Sequence, residues 1–81
     1  MPKLMQLSGR YIVKILGHFN FNLAAQKGSH IKLVRITFDN QRQVLTIPNH
    51  DVLDRGTAHA IYRQILKFIP EDEIRKYFYT E

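Results

Sequence analysis

The chain has 81 residues, with 12 lysines and arginines against 7 acidic residues, a formal net charge of +5 and no cysteine. That length makes one domain over residues 1–81, burying about 60–65% of the unfolded chain's surface, which leaves room for one core and a surface site but not a deep pocket for a large cofactor. The missing cysteines exclude a disulfide framework and a thiolate zinc site, and no apolar run approaches the ~20 residues of a membrane span or the core of a signal peptide, so the chain reads as soluble and cytoplasmic.

Ser8 is a good helix N-cap, and Tyr11, Ile12, Ile15, Leu16 and Phe19 follow at helical spacing. The first helix therefore covers about residues 8–18, and Asn20 breaks the pattern. Phe21, Leu23 and Ala25 alternate with Asn22, Ala24 and Gln26, which predicts a first strand. Gly28-Ser29 is a turn, and a second strand runs from His30 to Phe38. Asp39-Asn40 turns the chain into a third strand, Gln43 to Ile47, ended by Pro48, which cannot donate to a ladder.

A polar loop follows from Asn49 to Arg55. Ala58, Ile61, Tyr62, Ile65, Leu66 and Ile69 then mark one face of a second helix, with His59, Arg63, Gln64 and Lys67 on the other. Pro70 separates it from a short last helix with Glu71, Asp72 and Glu73 in its first turn and Ile74, Tyr77 and Phe78 turned inward. The expected fold class is α+β, ordered α-β-β-β-α with a short C-terminal helix. Both long helices pack on one face of a three-stranded antiparallel sheet, and the other face stays open.

The positive charge favours polyanionic partners, nucleic acid among them. There are four histidines. No pair has the i, i+4 spacing of a helical metal site and no carboxylate cluster joins them, so no metal site is expected. His18 ends the first helix, where a cation suits the dipole. His59 falls on a solvated helix face. His50 follows Pro48-Asn49 in a loop, where it caps, orients a neighbour or touches a phosphate.

His30 stands apart. If Ile31 and Leu33 face the helices, period-two alternation puts His30 and Lys32 together on the open face, with Lys27 nearby. That set supplies what a phosphodiester needs: a cation for the charged phosphorane and a group that exchanges a proton near neutral pH. The plain alternative is a polar residue on a solvated strand. The same alternation sends Val34, Ile36 and Phe38 outward, as at a protein contact. Tyr62, Phe68, Tyr77, Phe78 and Tyr79 read as core.

Several short stretches then fall into a familiar order: Leu7-Ser8-Gly9-Arg10, the apolar helix, Gln26-Lys27-Gly28-Ser29-His30, Ile47-Pro48-Asn49-His50, Leu53, Arg55-Gly56-Thr57, and Ile61 to Leu66. Together they resemble HicA-type toxins. The resemblance implies a fold like the double-stranded-RNA-binding domain and a cofactor-free and metal-free activity that cleaves mRNA. It also implies a HicB-like antitoxin as partner. The family's catalytic histidine falls on His30. Lys27, Gly28, Ser29, Lys32 and His50 are then the residues expected to bind RNA. Two departures stand out: Gly56-Thr57-Ala58-His59 replaces the family's Gly-Thr-Leu-Arg, and Phe68-Ile69-Pro70-Glu71 replaces its usual tail. A non-catalytic RNA-binding module of the same fold is the rival reading.

Overall fold

The computed structural model describes residues 3–80. Helix α1 spans Gly9–Gly17 and starts where the Ser8 hydroxyl accepts the Tyr11 N–H at 3.1 Å. This satisfies one of the amides that a helix start leaves without a partner. Ile12, Ile15 and Leu16 form its buried stripe. His18 caps its C-terminus, as expected, and Asn20 takes a left-handed φ of 70° that turns the chain toward the sheet.

Strands β2 (Asn22–Lys27), β3 (His30–Ile36) and β4 (Arg42–Pro48) form an antiparallel sheet in the order β2-β3-β4. The last two differ from expectation by only a residue or two at their ends. Ile31 and Leu33 on β3 oppose Ile47 and Leu45 on β4, and all four are buried. They share one core with α1, with helix α2 (Arg55–Ile65) and with helix α3 (Glu71–Phe78). All the helices therefore cover the same face of the sheet, as the two apolar stripes required.

β2 departs from simple alternation. Every residue in it is exposed. A bulge between Leu23 and Ala25 resets its register against β3. Leu23 lies opposite the buried Leu33 yet is 62% exposed, because β2 is the edge strand away from α1 and α2, which lie against β4.

The helix-facing side also holds a charge. Arg35 donates to the Phe19 and Phe68 carbonyls at 3.2 and 2.9 Å and to Gln43 Oε1 at 2.8 Å, with its guanidinium 4.7 Å from the Phe21 ring. It thereby ties the chain just beyond α1 and α2 to the sheet, with three acceptors compensating its partial burial.

The sequence did not suggest the pairing of β1 (Lys3–Leu4) with β5 (Tyr79–Thr80). That pairing brings Tyr79 over α2. His59 is consequently half-buried against the Tyr79 ring, 3.4 Å from its hydroxyl, and not fully solvated as expected. Tyr62 and Phe78 are core residues, while Phe68, Tyr77 and Tyr79 pack around it half-buried.

Candidate nucleic-acid interface

The β2–β3 hairpin closes through two residues, Gly28 and Ser29. Gly28 has φ +58° and Ser29 does not share the positive φ, the pattern of a type II′ turn. A side chain at Gly28 would meet no neighbour, so conformation and not space calls for glycine there.

Cross-strand partners share a face of the sheet. Lys27 pairs with His30, and Ala25 with Lys32. Because Ile31 and Leu33 point into the core, Lys27, His30 and Lys32 all lie on the open face. The two-residue turn places Lys27 directly opposite His30, and the bulge resets the alternation beyond it, so that Asn22, Ala25 and Lys27 all share the open face.

His50 joins this end of the sheet through the backbone. Asn49 N–H donates to the Ser29 carbonyl at 2.6 Å, and Gly9 N–H to the His50 carbonyl at 2.9 Å. A Cβ on Gly9 would sit 2.0 Å from the Pro48 carbonyl oxygen and 3.0 Å from Asn49 Cα. Only glycine lets α1 start this close to the end of β4. Leu53 N–H closes the loop onto the Leu7 carbonyl at 2.8 Å. The six residues singled out from the sequence, Lys27, Gly28, Ser29, His30, Lys32 and His50, thus gather at one end of the domain.

Two further residues come with them. Arg10, in the first turn of α1, reaches Asp51 at 3.3 Å across an exposed surface. An exposed pair of this kind adds little stability, so Arg10 remains a cation available to an anionic ligand. Asn49 links the His50 loop to the hairpin turn. Neither was legible from the sequence, since both arrive by the tertiary packing of α1 on β4.

The electrostatics of the open face are one-sided. Lys27, Lys32 and Arg42 lie on it, and the sole carboxylate from Asn22 to Pro48 is Asp39, in the far hairpin turn. His30 is exposed, and its ring takes part in none of the side-chain hydrogen bonds found among the described residues. Away from this end the same face becomes apolar. Val34 is half-buried, Ile36 is 57% and Val44 37% exposed, and Phe38 stands fully exposed beyond them. Among the described residues no three His, Cys, Asp or Glu side chains gather as a metal-holding group, and no helix is long and apolar enough to cross a membrane.

The fold and this bare, basic sheet face define a small α+β domain with three helices behind an antiparallel sheet. The chain belongs to the HicA family, described as the HicA toxin of bacterial toxin-antitoxin systems, whose family model matches residues 9–66. The match opens at the first residue of α1 and closes just past α2, so β1, α3 and β5 lie outside it. No curated protein and no solved structure matches the chain.

Proposed function

We propose that this toxin is an endoribonuclease that cleaves mRNA at the His30 end of the open sheet face and is neutralised by a HicB-like antitoxin. The observation that carries the reading is the exposed imidazole of His30 between two lysines on one sheet face, Lys27 opposite it and Lys32 two residues along the strand. Attack of a ribose 2′-OH on the adjacent phosphate gives a 2′,3′-cyclic phosphate and a free 5′-OH. His30 accepts the 2′-OH proton or donates one to the leaving 5′-oxygen. Lys27 and Lys32 neutralise the phosphorane charge, and the Ser29 hydroxyl and His50 contact phosphate or orient the strand. A lone acid/base contributes about 10²–10⁴-fold, so the chemistry is slow.

RNA binding on this face follows charge and shape, as in other domains that read phosphates and 2′-hydroxyls. Lys32→Ala weakens binding to all RNA sequences by a similar factor and flattens the salt dependence by about one unit. An unchanged slope in a salt titration removes Lys32 from the contacts. The apolar half of the face, Val34 and Ile36, suits a protein, and the antitoxin blocks cleavage by covering that half and His30 together.

A second reading, binding without cleavage, is favoured by one observation: no side chain among the described residues holds the His30 ring by a hydrogen bond. Incubating the purified chain with RNA separates the two. Cyclic-phosphate ends that disappear in a folded His30→Ala variant support the nuclease, and intact RNA supports the binder.

A further inference from the structure

The sheet has two edges, and only one of them is guarded. On β2 the bulge between Leu23 and Ala25 interrupts the outer row of backbone groups, a device that discourages strand addition. β4 has no bulge. Its partners run without a shift from Ile36↔Arg42 to His30↔Pro48.

The same register reveals which of its groups are free. Thr37 N–H donates to the Gln41 carbonyl at 2.9 Å, and Asn49 N–H to the Ser29 carbonyl at 2.6 Å. Both pairs continue the β3–β4 register, one at each end. Antiparallel ladders alternate hydrogen-bonded and open pairs. The hydrogen-bonded positions of β4 are therefore Gln43, Leu45 and Ile47. Arg42, Val44 and Thr46 direct their N–H and C=O groups away from β3, and no other backbone hydrogen bond among the described residues takes up those of Val44 or Thr46. Pro48 sits at an outward position too, where its missing N–H does not break the ladder.

Beside this edge runs a groove of about 600 Å³, walled by Val44 and Thr46 on one side and by Gly56, Ala60 and Gln64 of α2 on the other. Gly56 and Ala60 are small, so a second backbone fits between strand and helix. The volume lies within the 300–1,000 Å³ usual for a built binding site. Two arginines flank it outside its lining. Arg42 is at the start of β4, and Arg63 follows Gly56 and Ala60 on the same helical stripe. Asp54 is the one carboxylate lining the groove.

We propose that the free edge of β4 is a strand-addition site for an extended, acidic segment of the antitoxin, which adds a fourth strand to the sheet and lies in the groove against α2. This rests on the toxin–antitoxin reading above. A second copy of this chain is the poorer occupant, because each copy carries a charge of +5. An added strand lies two strands from His30, about 10 Å across the sheet. The antitoxin body then continues from that strand onto the open face. Backbone pairing supplies affinity here, and side chains alternately facing the groove and the open face supply register.

The test uses the chain with a co-expressed HicB-type antitoxin as the probe. Amide hydrogen exchange is followed at Val44 and Thr46 in the free chain and in the complex. Thr46→Pro removes one outward N–H and leaves the β3 ladder intact. The proposal expects both amides to exchange at least ten-fold more slowly in the complex, and Thr46→Pro to weaken antitoxin binding at least ten-fold. If Thr46→Pro does not fold, the exchange measurement decides alone. Binding of the antitoxin with Val44 and Thr46 still exchanging at their free rates overturns the proposal and leaves the toxin reading standing. No antitoxin binding at all overturns both. Concentration-dependent protection of the same amides in the chain alone identifies a second copy as the occupant, and protection by RNA alone identifies nucleic acid. Either result overturns the proposal.

Discussion

On β3, Ile31 and Leu33 are almost wholly removed from solvent, at 5% and 0% exposure, while His30 and Lys32, each one residue away, face outward. The covered face obeys packing. Each buried Leu or Ile there contributes about 1.5–3 kcal/mol, and neighbours from four elements fix its shape. The open face obeys charge and accessibility and adds little to stability. The two faces are one residue out of phase on the same strand, so a substitution on one leaves the other's task nearly untouched.

The sharpest way to break that comparison is His30→Ala. It should lower RNA cleavage by about 10²–10⁴-fold while shifting stability by no more than about 0.5 kcal/mol. Product analysis and a denaturant titration on one sample check both halves. A large loss of stability shows that the open face is structural after all. Leu33→Ala is the mirror experiment. It should cost about 2–5 kcal/mol, read as a lower urea midpoint, with the cleavage rate of the folded fraction little changed.

Gly9→Ala probes the seam between the faces. Its new methyl group meets the Pro48 carbonyl, so backbone must move, at about 1–3 kcal/mol. The His50 loop moves with it, and chemical-shift changes should reach Ser29 through the Asn49 bond. Unchanged shifts at Asn49 and Ser29 show that the loop is not held by α1.

The smallest effect belongs to the far side of the core. Burial, with help from the hydrogen bond to Glu71, pushes the Tyr62 phenol up to about 12 from 10.0. The fold favours the neutral phenol, so its contribution is complete below pH 10 and lost as pH rises through about 12. Tyr62→Phe should flatten the fall in stability across that window alone. An identical alkaline profile in the variant assigns the fall to other groups.

Much of this was legible in the residues themselves. Apolar stripes gave α1 and α2, the Gly28 and Asn40 turns gave both hairpins, and strict alternation on β3 set His30 and Lys32 on the face away from Leu33. What was hidden shares one cause: it depends on contacts between segments far apart in the chain. Nothing local in Leu23-Ala24-Ala25 announces the bulge that resets the alternation of β2 between Leu23 and Ala25. Arg35 reads as a solvent residue until the Phe19 and Phe68 carbonyls appear beside it. The two-residue strands β1 and β5 are too short to carry a pattern, and with them went the half-buried setting of His59.

The type II′ turn at Gly28-Ser29 has a consequence for how such a site can diverge. Surface loops usually accept insertions. Here the two residues of the turn set the phase between Lys27 and His30, and one extra residue would rotate the lysine to the opposite side of the sheet. The side chains around the imidazole are free to vary in kind, but the spacing between them is not. Relatives that keep this chemistry are expected to differ here by replacement and hardly ever by length.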